Sequence, residues 1–185
     1  MDIRLISTDL DGTLLGEDRR VSEKNARALR ACEARGIRVA LASGRCFESL
    51  AKTARDIGLC GPIISTNGTR VDASPDGPTI MEDVFSRRDA DTLCALLMES
   101  GLYFVVYGRG VMYEMNLGLH PEETGDAKMM RIANETANGC HVDILADENA
   151  ALETGLNRTL KFIAYGVAPE QMEPMRRALE ATGLC

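Results

Sequence analysis

Two carboxylates close together in Asp9-Leu10-Asp11-Gly12-Thr13 are the residues of this chain best suited to chemistry. They follow the apolar run Ile3-Arg4-Leu5-Ile6, which reads as a buried strand over Ile3–Thr8, and open α/β sheets bind their ligands just beyond the carboxyl ends of strands. Four fixed residues in a window of five arise by chance in such a chain at roughly the 10⁻³ level, taking about 5% per residue type. One carboxylate of such a pair can attack an electrophile while the other moves a proton.

Two plainer readings compete. Asp-Gly is a common turn dipeptide, which accounts for Gly12 but not for Asp9. Asp-x-Asp-Gly also occurs in calcium loops. An EF-hand loop in that register would start at Ser7 and end at Asp18, where Asp and Glu are required, and it would follow a helix rather than a strand.

The elements that position the pair follow from periodicity. After a short polar flap over Leu14–Arg20, Ser22 caps a helix carrying Ala26, Leu29 and Cys32 on one face and ending at Gly36. The apolar strand Ile37–Ala42 comes next and stops at Ser43-Gly44-Arg45. A helix with Phe47, Leu50, Ala51, Ala54 and Ile57 on one face ends at Gly58, and the strand Ile63–Thr66 runs into Asn67-Gly68. This βαβαβ order predicts a parallel sheet with right-handed crossovers. Arg70-Val71 and Thr79–Met81 then flank Ser74-Pro75-Asp76-Gly77-Pro78 as a hairpin.

From about Asp83 the pattern changes to an α+β module. It holds a helix over Arg87–Ser100, strands over Tyr103–Tyr107 and Val111–Met115, a helix within Glu122–Asn134, a strand over Thr159–Tyr165 and a helix over Pro169–Thr182. The expected division is 1–82 and 83–185. Most methionines lie in the second part, where Met172, Met175 and Leu179 follow helical spacing and read as core filling. Gly108-Arg109-Gly110 opens no dinucleotide fingerprint, because Tyr113 occupies the third glycine position.

Composition narrows the function classes. The 185 residues carry a formal charge of −7 and no Lys/Arg-rich face, which argues against nucleic acid as the main partner. No run approaches the roughly 20 apolar residues of a membrane span, and the N-terminal strand is too short and polar for a signal peptide. Cys32, Cys46, Cys60, Cys94, Cys140 and Cys185 are widely spaced with no Cys-x-x-Cys. That spacing argues against zinc and for buried thiols in a reduced, cytoplasmic protein. His120 and His141 are isolated and read as structural.

In a parallel sheet the three strand ends lie side by side, so Asp9 and Asp11, Ser43 and Asn67 should share one crevice. Each residue type suits a phosphate. A carboxylate attacks phosphorus, a second one protonates the leaving oxygen, and a hydroxyl at a helix start holds phosphate oxygens beside backbone N–H groups. Mg²⁺ suits two acidic groups beside a phosphate, since a hard cation neutralises charge.

Asp9-Leu10-Asp11-Gly12-Thr13, Leu41-Ala42-Ser43-Gly44-Arg45 and Thr66-Asn67-Gly68, in this order, resemble the haloacid dehalogenase-like superfamily and, within it, the Cof-type phosphatases of subclass IIB. The resemblance implies a Rossmann-like core with an inserted α+β cap that selects substrate. It implies Asp9 as nucleophile and Mg²⁺ ligand, and Asp11 as general acid/base with its carbonyl on the metal. It makes Ser43 the phosphate binder, places Arg45 and Asn67 near the substrate, and counts Leu10, Gly12, Thr13 and Gly44 among the phosphate-binding residues. The implied substrate class is sugar phosphates or similar small phosphorylated metabolites.

In that family the chain returns from cap to core with two strands, a lysine and a Gly-Asp-x-x-Asn-Asp segment. No match to that segment occurs here: Met129 and Met130 stand where Gly125-Asp126 would need its second acidic pair, and Lys161 starts an apparent cap strand. The expectation is therefore a core sheet with an exposed edge that invites self-association. Two rivals to the phosphatase reading stand at this stage, a non-catalytic module of the same fold and a phosphomutase.

Overall fold

The computed structural model describes residues 2–115, 139–145, 158–165 and 169–184. The chain divides into two compact units, residues 2–83 together with Gly139 and Cys140, and the other described residues from Val84 onward. The segment expected to form a helix within Glu122–Asn134 lies outside the described residues, as do His120, Gly125-Asp126, Met129 and Met130.

The first unit is built on a five-stranded sheet in the order β1 (Leu5–Asp9), β2 (Arg38–Ala42), β3 (Ile63–Ser65), β4 (Arg70–Asp72) and β5 (Thr79–Glu82). The first three strands are parallel, and β4 and β5 are antiparallel. The helices α1 (Glu23–Glu33) and α2 (Phe47–Ile57) form the connections β1 to β2 and β2 to β3. Ser22 accepts a hydrogen bond from Asn25 N–H to start α1, and α2 ends on a left-handed Gly58. This mixed α/β architecture is the one the sequence implied.

Val39, Ala40 and Leu41 are all 1% exposed, because β2 has a strand on each side and the helices α1 and α2 packed against it. Leu10, Leu14, Val39, Leu41, Leu50, Ala54, Leu59 and Ile63 form one core. Gly61 lies where a Cβ would meet the Val39 carbonyl oxygen at 2.0 Å, so the approach to β3 requires glycine there.

The expectation for β1 needs correction in position and in burial. It runs from Leu5 to Asp9, not from Ile3 to Thr8, and its residues alternate between exposed and half-buried. Ile3 is 62% and Leu5 56% exposed. Among the described residues this apolar strand stands at the edge of the sheet with one neighbour, which is the exposed edge expected from the sequence.

The second unit has a four-stranded sheet in the order β8 (His141–Leu145), β7 (Val111–Met115), β6 (Tyr103–Tyr107) and β9 (Lys161–Tyr165). Its helices are α3 (Arg87–Glu99) and α4 (Pro169–Ala181). Ala90, Cys94 and Leu97 of α3 pack with Phe104, Val106 and Met115. Strand β8 was not anticipated; it pairs parallel to β7, whereas the other pairs in this sheet are antiparallel. The core-filling expectation fails for Met172, which is 60% exposed, and holds for Met175, which packs partly buried against the core of this unit. Lys161 places its ammonium 5.3 Å from the Tyr107 ring centroid, a cation–π contact within this unit. The expectation of buried thiols holds for Cys46, Cys94 and Cys140, while Cys32 is half-buried and Cys60 exposed.

Candidate active site

Asp9, Ala42 and Ile64 form one row across β1, β2 and β3, so three chain segments leave the sheet at the same level. The first bends sharply. Leu15 N–H donates to the Leu10 carbonyl at 2.9 Å, Asp11 is extended (φ −75°, ψ 120°) and Gly12 takes φ 74°, a left-handed conformation that glycine adopts without strain. Leu10 is fully buried and anchors the turn. Its side chain belongs to the core, so only its main chain is left for the phosphate contact expected of it. Thr13 Oγ1 donates to Asp9 Oδ2 at 3.4 Å, which holds the exposed Asp9 carboxylate across the turn.

The second and third segments are tied to each other. Ser43 N–H donates to the Ile64 carbonyl at 3.0 Å, Asn67 N–H to the Ser43 carbonyl at 3.2 Å, and Thr66 N–H to the Arg45 carbonyl at 2.8 Å. Ser43 Oγ accepts from Arg45 N–H at 3.3 Å. Thr66 (φ 49°) and Asn67 (φ 61°) are both left-handed, a costly state for the β-branched threonine. Thr69 Oγ1 donates to Thr66, at 2.7 Å from its Oγ1 and 3.0 Å from its carbonyl oxygen.

Asp9, Ala42, Ser43, Ile64, Asn67 and Gly68 line a cleft of about 290 Å³. The structure thus brings together three of the residues singled out from the sequence, Asp9, Ser43 and Asn67. Asp11 is turned elsewhere. Arg45 Nε donates to its Oδ2 at 2.9 Å and Nη2 to its Oδ1 at 2.6 Å, while Arg19 Nη2 stands 4.0 Å away. The Arg45 side chain is 11% exposed and that of Asp11 51%. Arg45 therefore links all three segments, through its guanidinium to the first, its N–H to Ser43 and its carbonyl to Thr66.

Sequence reasoning placed Arg45 near the substrate but missed its bidentate grip on Asp11, which joins residues 34 positions apart. It also missed a buried support. Arg70 and Asp72, 7% and 1% exposed, pair at 2.9 Å and 3.0 Å, and Thr79 Oγ1 donates to Asp72 at 2.8 Å. The Arg70 guanidinium lies 4.1 Å from the centroid of Phe47, the first residue of α2. The segment that presents Ser43–Arg45 is thereby braced from β4.

Arg45 donates to both oxygens of the Asp11 carboxylate, so a cation here would draw on the carboxylate of Asp9 and the main-chain carbonyl of Asp11. Both are hard oxygen donors of the kind Mg²⁺ takes. The residues present fit that ion.

A family model described as haloacid dehalogenase-like hydrolase matches residues 6–180. Among curated relatives, the 5-amino-6-(5-phospho-D-ribitylamino)uracil phosphatase YcsE of Bacillus subtilis is 34% identical over 71 residues, 38% of this chain and 28% of that protein. Among solved structures, a haloacid dehalogenase-like hydrolase from B. subtilis superposes with a TM-score of 0.76 at 21% identity, over 96% of this chain and 67% of that one. The subclass IIB sugar phosphatase BT4131 gives 0.71 at 15% identity, over 96% and 64%. The alignment to the curated relative thus spans under a third of its length, and the chain spans about two-thirds of the solved neighbours. With the family model covering both units and the three strand-end motifs in their order, the chain belongs to the haloacid dehalogenase-like hydrolases.

Proposed function

We propose that this chain carries the nucleophile, acid/base and substrate-selecting parts of a Mg²⁺-dependent phosphomonoester hydrolase. The observation that carries the reading is the convergence of Asp9, Ser43 and Asn67 on one cleft. A carboxylate, a hydroxyl and an amide around one space suit a tetrahedral phosphoryl group, and the related phosphatases act on small phosphorylated molecules.

In this reading an Asp9 carboxylate oxygen forms a bond to phosphorus as the bond to the ester oxygen breaks, leaving an aspartyl-phosphate. Asp11 delivers a proton to the departing alkoxide. It then takes one from the water that attacks phosphorus, and inorganic phosphate leaves as Asp9 is restored. Ser43 Oγ and the N–H groups at the start of α2 hold the phosphate oxygens. Mg²⁺, held by the Asp9 carboxylate and the Asp11 carbonyl, would offset charge on the transferring group.

Sugar phosphates or similar small metabolites are the proposed substrate class, and the unit from Val84 onward is the proposed cap. The phosphatase reading is preferred over a non-catalytic module because Thr13 orients the Asp9 carboxylate that lines the cleft beside Ser43 and Asn67. Among the described residues no helix is long and apolar enough to cross a membrane, and a small soluble phosphoester is the proposed partner.

Hydrolysis of p-nitrophenyl phosphate and a panel of sugar phosphates, with and without Mg²⁺, tests the reading. Metal-dependent turnover abolished by Asp9→Asn is the expected result. An Asp9→Asn variant within about tenfold of wild type would exclude the covalent route, since one lost nucleophile costs far more than ~1.4 kcal/mol of barrier.

A further inference from the structure

Cys46 and Cys140 are 94 residues apart in sequence, which is why linear spacing argued against zinc, yet the fold brings their sulfurs together. The Cys46 Sγ, the Cys140 Sγ and a carboxylate oxygen of Glu48 all lie within 4.8 Å of one another. Both thiols are 3% exposed and Glu48 is half-buried. Cys140 groups with the first unit, as do Cys46 and Glu48, and neither cysteine is in a disulfide.

Cys46 holds the N-cap position of α2 without capping it through its side chain. Ser, Thr, Asp or Asn usually serves at that position. At the third helical position, whose side chain reaches back toward the N-cap in a capping box, Ser49 buries its hydroxyl oxygen with no hydrogen-bond partner. A cluster of two thiols, a carboxylate and a nearby unsatisfied hydroxyl at the positive end of a helix suits a cation-centred site in which the ligands are anionic.

We propose that Cys46, Glu48 and Cys140 bind a borderline-soft divalent cation of the Zn²⁺ class. Two thiolates select against Mg²⁺, which prefers oxygen. Zinc–sulfur bonds of about 2.3 Å and zinc–oxygen bonds of about 2.0–2.2 Å in a tetrahedron set two sulfurs and an oxygen about 3.5–3.8 Å apart, so donors within 4.8 Å of one another need to close by about 1.3 Å at most. Water takes the fourth position. The site shares no ligand with Asp9 or Asp11 and follows Arg45 directly in sequence, so an occupied site fixes the segment that presents Ser43–Arg45. The proposal does not rest on the phosphatase reading.

Co²⁺ serves as the spectroscopic probe and Zn²⁺ as its competitor, with the reduced, chelator-treated 185-residue chain. The expected result is one Co²⁺ per chain, with a thiolate-to-metal charge-transfer band in the ultraviolet and tetrahedral d–d bands in the visible, all displaced by one equivalent of Zn²⁺. Loss of a partner that merely orients a ligand weakens metal binding by about 10–100-fold, so Cys46→Ser and Cys140→Ser should each weaken it by more than about 100-fold. Glu48→Gln should weaken binding while keeping the charge-transfer band. Cys60→Ser and Asp9→Asn should leave the spectrum unchanged, with circular dichroism confirming that each variant is folded. Absence of the bands in the wild-type chain, or their survival in the Cys46→Ser/Cys140→Ser double variant, overturns the proposal. So does peptide mapping that finds Cys46 joined to Cys140 as a disulfide in folded protein purified without added oxidant or reductant.

Discussion

Replacing Arg45 by alanine separates two roles that its position allows, holding Asp11 and holding substrate. The pair consists of two charge-assisted hydrogen bonds at 2.9 Å and 2.6 Å, each of a kind worth about 1.5–3 kcal/mol when shielded. Asp11 is half in water, with 51% of its side chain exposed, and exposed ion pairs contribute about 0.2–1 kcal/mol. Arg45→Ala should therefore lower stability by only about 1 kcal/mol, because water solvates the abandoned carboxylate. Catalysis is the more sensitive readout. General acid–base assistance contributes about 10²–10⁴-fold, and a carboxylate freed from its bidentate clamp spends less time aimed at the leaving oxygen. We expect kcat to fall by about 10–100-fold on alkyl phosphates, whose leaving alkoxide needs the proton, and by only a few-fold on p-nitrophenyl phosphate, whose leaving group does not. Arg45→Lys should recover part of the loss, since an ammonium supplies charge without the fork. Parallel kcat and KM measurements on both ester types decide the matter. An equal loss on both, or a raised KM with kcat unchanged, would refute the positioning argument and make Arg45 a substrate ligand only.

Three further outcomes follow from the same geometry. Asp72→Ala strands the Arg70 guanidinium, 7% exposed, in the interior, and should cost the first unit about 3–5 kcal/mol in urea unfolding; a loss under about 1 kcal/mol would show that Arg70 re-partners. Burial, with Glu114 as a smaller contributor, raises the Tyr103 phenol well above its usual range. The folded chain thus keeps a proton that the unfolded chain releases near pH 10, so the stability from this group is complete below that pH and declines as pH rises above it; Tyr103→Phe should flatten the alkaline limb of a pH–stability curve. Asp9 and the Asp11 carbonyl supply few protein ligands, so isothermal titration of the 185-residue chain should show weak Mg²⁺ binding that strengthens when inorganic phosphate is present; micromolar affinity without phosphate would reveal a ligand not considered above.

The sequence was most legible where chemistry is local. Asp9, Ser43 and Asn67 each sit where a strand pattern ends, and a parallel sheet brings such ends together, so their shared cleft followed from the order of elements. Ser22 and Gly58 marked helix ends for an equally local reason, the unsatisfied backbone groups of a helix terminus. What was not legible depends on partners distant in the chain. Arg70 looked like an ordinary hairpin residue until Asp72, Thr79 and Phe47 were seen around it. Strand β8 is defined by pairing with β7 some 30 residues earlier, and nothing within His141–Leu145 announces that neighbour. The exposed edge at β1 was expected, but the exposure of Ile3 and Leu5 on it was not written in their hydrophobicity, because burial belongs to the sheet and not to the residue. The same distinction separates Asp9 from Asp11. Both carboxylates were visible as a pair, yet one faces the cleft while the other is gripped by Arg45. That division suits attack by one and proton transfer by the other, and only the placement of a third residue 34 positions away expresses it.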